Sequence, residues 1–375
     1  MKNLILLSAT LLLVLHSYAQ IVNIPDTNFK AALINHSPVI DTNGDGEIQV
    51  SEAGSYNGAM SVSNKNISDF TGIEAFVTIP LLYCDNNQLS TLDVSNNTAL
   101  MQLRCYTNQI STLNVSNNTN LELLACSNNQ LTTLDVSNNP VLSDLNLNLN
   151  QLSILDVSNN PALYELSCPN NQLSTLDVSN NTALLYLCCY SNSLTTLDVS
   201  NNTALTSLSC NSNQLSTLDV SINTTLTYLD CSINQLTSLN VKNGNNINFT
   251  NPFPPGPPFN ATFNPNLYCI EVDDSTWSTA NWTNIDSIAY FSNDCTTGLP
   301  NELQITELKV FPNPTTGLIT IQAENINKIE LSDIQGKQIY TGKETEIDLS
   351  QQPQGIYIIK VTTNKQTITK KIIKQ

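Results

Sequence analysis

The chain has 375 residues, a formal net charge of −17 and two histidines. Nine of its 14 Lys and Arg residues lie in residues 301–375, so the rest is strongly acidic, with the single arginine Arg104. Such a surface argues against nucleic acid, whose affinity comes from Lys and Arg on phosphates. One of the two histidines lies in the first 19 residues, which are predicted to be removed, so the mature chain keeps only His36. A single histidine excludes a multi-histidine zinc site and disfavours a Ser-His or Cys-His nucleophile pair.

Residues 1–19 have the composition of a secretory signal peptide. Lys2 precedes an apolar run from Leu4 to Leu15, and the small residues Ser17 and Ala19 precede a cleavage position before Gln20. The run is too short to span a bilayer of ~30 Å. We therefore expect an exported mature chain with no transmembrane segment.

Residues 20–57 are predicted to form an N-terminal cap, with one helix over Asp26–Asn35 and a second beginning at Val50. Between them, residues 41–52 (DTNGDGEIQVSE) match D-x-[DN]-x-[DN]-G-x5-E without a gap. In this pattern oxygen ligands wrap a hard cation, and the glycine allows a sharp turn. The predicted calcium ligands are Asp41, Asn43, Asp45, the carbonyl of Glu47, Gln49 and Glu52.

This segment resembles an EF-hand or dockerin-type calcium loop. The alternative is an acidic, glycine-rich turn that binds nothing. Because the chain has one copy and EF-hands usually pair, we expect structural calcium that stiffens the cap and not a switch.

A period of 21 residues dominates the chain from about residue 79 to 246. Residues 103–108 (LRCYTN) align with residues 124–129 (LACSNN). Each unit has two halves of the form L-x-x-L-x-(C or V)-x-x-N, whose alternation predicts short strands, and the Asn predicts a turn. We predict a solenoid over residues 58–246, about 40 Å long at roughly 4.8 Å per coil.

The repeat resembles the leucine-rich-repeat family, specifically its short 21-residue class. The resemblance implies a mainly β solenoid with short strands on two faces, capped by a small helical segment. Residues 67–76 keep the apolar spacing loosely and are predicted to form an irregular first repeat.

Seven cysteines occupy one inward column of the repeat. Leu147 takes the same position in the fourth unit, so we favour a core column of buried thiols over a chain of disulfides or a metal ladder. Cys188 falls on an outward position and is the candidate reactive thiol. The column contains Cys84, Cys105, Cys126, Cys168, Cys189, Cys210 and Cys231.

Residues 247–300 are predicted to form a C-terminal cap closed by a disulfide between Cys269 and Cys295. These cysteines flank Trp277 and Trp282 after a proline-rich loop. The cap would shield the exposed edge of the last coil.

The outward residues of the first half vary between repeats, whereas the frame barely changes. Variation on a fixed scaffold suits a recognition face, and tyrosine is a common interface anchor. The alternative is ordinary drift of a solvent-facing surface. The predicted ligand-binding residues are Tyr83, Arg104, Tyr106, Tyr186, Tyr190, Tyr228 and Asp230.

The outward residues of the second half are instead regular, with a column of Asp or Asn beside a column mostly of Thr. We favour carboxylates that cap local turns over a lattice-binding face for ice or crystalline polysaccharide. The first column contains Asp93, Asn114, Asp135, Asp156, Asp177, Asp198, Asp219 and Asn240.

Residues 301–375 are predicted to form a separate β-sandwich of about seven short strands. Residues 310–317 (VFPNPTTG), the turn at Gly336 and residues 355–361 (GIYIIKV) resemble the C-terminal sorting domain of the type IX secretion system of Bacteroidetes. The resemblance implies interaction with that machinery, passage through the outer membrane and removal of the domain. The product would then be released or attached to surface lipopolysaccharide.

These features predict a secreted or cell-surface protein that binds a protein or glycan ligand on host or neighbouring cells. The alternative is a structural or lattice-binding surface protein that uses the regular Asp/Thr face. An enzyme is disfavoured: Asp144 and Glu165 resemble a glycosidase pair but lie on an open face without the pocket that raises an acid's pKa.

Overall fold

The computed structural model describes residues 20–249, 256–295, 308–323, 326–363 and 367–375. The described residues form two compact units, one ending at Cys295 and one in the C-terminal tail. The predicted signal peptide, residues 1–19, lies outside the described residues.

The N-terminal cap is anchored to the first coil by one carboxylate. Asp26 Oδ1 accepts hydrogen bonds from the backbone N–H groups of Asn28 and Phe29 at 2.8 and 2.9 Å, which caps the first helix. Its Oδ2 accepts from the N–H of Ser68 at 2.8 Å. Phe29 stacks on Phe70 with ring centroids 4.4 Å apart. The cap contains α1 (Thr27–Ile34) and α2 (Val50–Ser55).

Fourteen short strands follow the cap in the first unit. They are β1 (Ala59–Ser61), β2 (Leu81–Tyr83), β3 (Gln102–Arg104), β4 (Leu123–Ala125), β5 (Asp144–Asn146), β6 (Glu165–Ser167), β7 (Tyr186–Cys188), β8 (Ser207–Ser209), β9 (Thr217–Asp219), β10 (Tyr228–Asp230), β11 (Ser238–Asn240), β12 (Phe259–Asn260), β13 (Cys269–Glu271) and β14 (Tyr290–Ser292). Two 3-10 turns lie at Ile73–Ala75 and Asn246–Asn248.

The first halves of the coils form a ten-stranded sheet in the order β1-β2-β3-β4-β5-β6-β7-β8-β10-β12. Neighbouring strands are parallel, and from β2 to β8 each residue pairs with the one 21 positions later, as Leu103 pairs with Leu124. In β2 to β8 and in β10 the middle residue is a buried leucine, and its two neighbours point outward. The predicted mainly β solenoid is therefore confirmed.

The second halves are less regular than the sequence pattern predicts. Only β9 and β11 form strands there, and they join β13 and β14 in a four-stranded sheet. In the earlier coils of the described chain, the second halves form one isolated β-bridge, from Asp93 to Asn114. Successive coils are also linked where these halves begin, as by the Gln109 N–H, which donates to the carbonyl of Leu89 at 2.8 Å. Further along each half, buried asparagine side chains join the coils.

Two columns of asparagine side chains bridge successive coils, and they differ in whether the side-chain oxygen has a hydrogen-bond partner. In the first halves, Asn150 Nδ2 donates to the carbonyl of Cys126 at 3.1 Å, and its Oδ1 accepts from the N–H of Leu131 at 3.0 Å. In the second halves, Asn160 Nδ2 donates to the carbonyls of Val136 and Asn139 at 3.0 and 2.9 Å. Its Oδ1 is buried without a hydrogen-bond partner. The same orphaned oxygen recurs at Asn97, Asn118, Asn139, Asn181, Asn202 and Asn223.

The residue before each first-half asparagine adopts a left-handed conformation. Asn128 and Asn170, both at φ 53°, suit this region, whereas Leu149 at φ 55° and Ile233 at φ 54° are strained there. The asparagine pair at the end of a half therefore has two separate roles, a left-handed turn and a buried bridge.

The cysteine column lies in the core beside these asparagines. All seven cysteines are buried free thiols, and Leu147 fills the gap in the fourth unit. Burial raises the pKa of Cys126 to about 12. A thiol with so high a pKa is protonated at neutral pH and is a poor nucleophile.

The C-terminal cap packs aromatic rings against the last coils. Cys269 and Cys295 are joined by a disulfide. Trp282 stacks on Phe259 with ring centroids 4.1 Å apart and contacts Phe291 at 5.7 Å. The cap contains one helix, α3 (Ser275–Asn281).

The described residues of the second unit form seven strands. They are β15 (Lys309–Phe311), β16 (Leu318–Gln322), β17 (Ile326–Asp333), β18 (Gln338–Gly342), β19 (Glu346–Asp348), β20 (Gly355–Thr363) and β21 (Thr367–Lys374). They make two antiparallel sheets with the orders β15-β16-β19 and β18-β17-β20-β21, and they enclose a hydrophobic core of their own.

Candidate functional site

The outward residues of the ten-stranded sheet form one continuous surface, here called the outer sheet face. At its N-terminal end, the Arg104 guanidinium lies 4.7 Å from the centre of the Tyr83 ring. The Tyr83 hydroxyl donates to Gln102 Oε1 at 3.0 Å. Burial raises the pKa of Tyr106, and a hydrogen bond with Asp85 adds to the shift. These predicted ligand-binding residues are therefore held together in one cluster.

Two carboxylates occupy the centre of the outer sheet face. Asp144 and Glu165 are register partners on β5 and β6. The expectation that this open face leaves the pKa of the pair unraised is wrong, because burial raises the pKa of both carboxyls. Proximity to Asp144 adds to the shift of Glu165, and Arg104 opposes the shift of Asp144. Among the described residues, neither carboxylate has an ion-pair partner within 4.0 Å.

Two exposed tyrosines flank this acidic pair. Tyr186 is the register partner of Glu165 on β7 and is 38% exposed. Tyr164 is 39% exposed. Burial of its hydroxyl raises the pKa of Tyr164, with contributions from Asp144 and Glu165. Tyr164 was not among the predicted ligand-binding residues, because it directly precedes a strand. The residue at this position also varies between repeats, since an earlier repeat has Met101 there.

The C-terminal end of the face is less accessible than its sequence suggests. Tyr228 is only 3% exposed, so its ring is not available at the surface. Asp230 Oδ1 accepts hydrogen bonds from the backbone and the hydroxyl of Ser232 at 3.0 and 2.7 Å. Tyr190 is half-buried. Burial raises the pKa of Cys188 to about 11, so this thiol is protonated at neutral pH and poorly reactive.

The second halves carry a groove of about 710 Å³ lined by Asp156, Asp177, Asp198, Thr175 and Thr196. Each of these aspartates accepts a hydrogen bond at 2.9 Å from the backbone N–H of the serine two residues later. Hydrogen bonds from these serines lower the pKa of all three carboxyls. The aspartates therefore cap local turns, as one of the two sequence interpretations proposes.

The candidate calcium loop is closed by its own amide groups. Gly44 and Gly46 adopt φ of 72° and 81°. Their N–H groups donate to Asp41 at 2.8 and 3.0 Å. Burial acts to raise the pKa of Glu52, but hydrogen bonds from the N–H groups of Gln49, Thr42 and Asn43 and from the Thr42 hydroxyl lower it overall. Both ends of the loop are thus tied to its backbone.

Three of the predicted calcium ligands converge on one another. Asn43 Nδ2 donates to Asp45 Oδ2 and to Gln49 Oε1, both at 3.0 Å, and Gln49 Nε2 donates to Asp45 at 2.9 Å. Glu47 pairs with Lys30 at 2.6 Å. Across the described ranges, no three His, Cys, Asp or Glu side chains are grouped to hold a metal. The donors are of the oxygen-rich kind that calcium takes, but the amides of Asn43 and Gln49 must rotate to present their oxygens.

His36, the single histidine beyond residue 19, is fully engaged within the cap. Its Nε2 accepts from the backbone N–H of Ser61 at 3.0 Å, and its Nδ1 lies 2.9 Å from the carbonyl of Pro38. It is buried against β1, the first strand of the ten-stranded sheet. In the part of the chain that the structure describes, no helix is long and apolar enough to cross a bilayer.

Comparison with known families identifies the C-terminal unit. Residues 309–375 match the family model described as a secretion system C-terminal sorting domain. The predicted type IX sorting domain is therefore confirmed for the tail. No curated protein sequence matches the chain significantly.

Comparison with solved structures concerns the solenoid. An internalin, inlF, from Listeria monocytogenes is 19% identical, with a TM-score of 0.51 over 74% of this chain and 94% of that one. This likeness supports a leucine-rich-repeat-like β-solenoid. The functional domain of InlJ from Listeria monocytogenes, described as including a cysteine ladder, is 23% identical, with a TM-score of 0.49 over 95% of this chain and 100% of that one. The leucine-rich effector YopM from Yersinia pestis is 22% identical, with a TM-score of 0.41 over 58% of this chain and 56% of that one.

Proposed function

We propose that this chain is a secreted or cell-surface binding protein of Bacteroidetes type that recognises a protein or glycan ligand with its outer sheet face. The observation that carries the proposal is the contrast between the constant buried leucine of each strand and the varied residues beside it. The sorting domain supports delivery to the cell surface or beyond it, after removal of the signal peptide and the tail. The solenoid then remains either released or attached to the outer-membrane surface.

A non-catalytic role is part of this proposal. Both ring nitrogens of His36 are engaged within the cap, and the outer sheet face is open. Acid–base catalysis needs a group positioned within hydrogen-bond reach of a bound substrate. The outer sheet face instead offers exposed tyrosines, which are enriched at interfaces.

The proposal predicts that replacing Tyr164 and Tyr186 by alanine abolishes ligand binding. Ligand classes are first found by probing the purified chain on glycan arrays and on cell-surface protein arrays. The double variant should raise the dissociation constant of each ligand at least tenfold, because central aromatic anchors dominate the binding energy. A control pair, Thr175→Ala and Thr196→Ala, lies on the opposite groove and should bind as the parent does.

A second candidate function is structural, with the regular groove of the second halves packing against a lattice or neighbouring copies. The periodic groove lined by Asp156, Asp177 and Asp198 favours it. In that case the threonine pair, not the tyrosine pair, would reduce binding or self-association.

We further propose that calcium binds residues 41–52 and stiffens the cap. Asp41, Asn43, Asp45, the carbonyl of Glu47, Gln49 and Glu52 would hold the ion. Calcium at about 100 times its dissociation constant should stabilise the fold by about 2.7 kcal/mol, raising the melting temperature by several degrees relative to chelator. Glu52→Ala should remove this difference.

Glu47→Ala is the matched control for the calcium experiment, because that residue contributes its carbonyl and its side chain pairs with Lys30. This variant should keep the calcium-dependent rise. Equal melting temperatures of the parent chain in calcium and in chelator would rule out a structural calcium.

A further inference from the structure

The middle of the solenoid carries a large uncompensated negative charge. Between Arg104 and Lys242 the sequence contains nine acidic residues and no Lys, Arg or His. Arg104 itself is stacked on Tyr83, 4.7 Å from the ring centre. Arg104 acts on Asp144 only from beyond ion-pair distance, so among the described residues the two central carboxylates have no ion-paired cation.

The two central carboxylates are placed to repel each other. Asp144 and Glu165 are paired in register on adjacent parallel strands, whose backbones lie roughly 4.8 Å apart. Like charges directly opposite on neighbouring strands are destabilising. Both side chains are partly withdrawn from water, which strengthens their interaction with any charge placed between them.

The surroundings of this pair suit a planar cation. Tyr164 and Tyr186 are both more than a third exposed beside it, and tyrosine rings attract cations over their faces. The outward neighbours Asn146 and Ser167 are short side chains. A guanidinium has five donors in a rigid fork and stacks on aromatic rings, whereas an ammonium is a strongly hydrated point charge.

We propose that the occupant of the central outer sheet face is an arginine-containing segment of a partner protein, held by Asp144 and Glu165 between the rings of Tyr164 and Tyr186. This inference rests on the proposed function and names the partner chemistry of that face. A neutral glycan can donate hydroxyl hydrogen bonds to the two unpaired carboxylates but leaves their charge uncompensated, and an acidic glycan is repelled by them. Charge complementarity therefore selects a basic protein segment.

The test uses the full chain and three nine-residue peptides in which glycine alternates with arginine, with lysine or with glutamine. Binding is measured by calorimetry at 0.15 M salt. The arginine peptide should bind most tightly, with the lysine peptide weaker and the glutamine peptide at least tenfold weaker. Asp144→Asn combined with Glu165→Gln should weaken binding of the arginine peptide at least tenfold.

The matched control is Asp177→Asn combined with Asp198→Asn, which removes the same charge from the opposite face. Retention of parent-like binding by this control supports the inference. An equal loss in both double variants, or equal binding of the glutamine peptide, overturns it, because the attraction is then general or not electrostatic.

The same variants separate this inference from the proposed function. If an array ligand loses binding to the Tyr164→Ala, Tyr186→Ala variant but not to the Asp144→Asn, Glu165→Gln variant, the face binds a ligand of other chemistry, such as a glycan, and only the inference fails. If neither variant weakens binding of any ligand, both fail.

Discussion

Replacing Asn150 by alanine is expected to lower the free energy of unfolding by about 2 to 4 kcal/mol. This side chain donates to the carbonyls of Cys126 and Leu147, both at 3.1 Å, and accepts from the N–H of Leu131 at 3.0 Å. The two carbonyls keep other asparagine donors, Asn129 and Asn171. The N–H of Leu131 is left buried without an acceptor, and this desolvated donor dominates the cost.

Asn160→Ala is the matched control, since it deletes an equally large buried amide from the next half of the same coil. Its acceptor carbonyls, those of Val136 and Asn139, keep backbone donors at 3.0 and 3.1 Å. The substitution also removes an oxygen that has no partner. In urea unfolding followed by circular dichroism, the free energy of unfolding of Asn160→Ala should be at least about 1 kcal/mol higher than that of Asn150→Ala. Equal stabilities would show that the orphaned oxygen costs nothing.

The second large effect is expected at the C-terminal cap. Replacing Cys269 and Cys295 by alanine should lower the free energy of unfolding of the cap by about 3 kcal/mol, because the bond closes a loop over 26 positions. The aromatic cluster around Trp282 then loses the link that holds β13 to Cys295 at the end of the first unit. Intrinsic tryptophan fluorescence during heating reports this transition, since both tryptophans lie in the cap.

Reductant provides the control for the disulfide. It should lower the transition temperature of the parent chain to that of the double variant, and it should leave the transition temperature of the variant unchanged. Cys126→Ala, which removes a buried free thiol, should leave the sensitivity to reductant intact. A double variant that still responds to reductant would mean that another cysteine pair stabilises the cap.

The sequence was sufficient to predict the solenoid because its frame is local and repeated. Period-two alternation around Leu103 or Leu124 predicts a buried leucine with outward neighbours, and parallel stacking follows from the repeat. The irregular second halves were not predictable from the same pattern. The motif around Asp156 resembles that around a first-half strand, and only the packed coils reveal that asparagine side chains such as Asn160 join the backbones there.

The candidate binding face was predictable in position but not in detail. Variation between repeats identified the outward columns and the cluster of Tyr83 and Arg104. It did not reveal that Tyr228 is buried or that Tyr164 lies beside Asp144, because accessibility depends on the sizes of neighbours on adjacent strands. For the calcium loop, spacing identified the oxygen donors, but the rotation of the Asn43 amide is set by hydrogen bonds that spacing does not encode.

The constant register of the coils has a consequence for how the protein can vary in length. Each first-half strand from β2 to β8 pairs with the strand one repeat later without any shift, so a whole repeat can be gained or lost without disturbing any neighbour. Near-identical tandem repeats favour unequal recombination in the gene. The outer sheet face therefore behaves as a ruler that lengthens or shortens in steps of roughly 4.8 Å, which lets the spacing between Tyr83 and Tyr186 be tuned while both end caps stay unchanged.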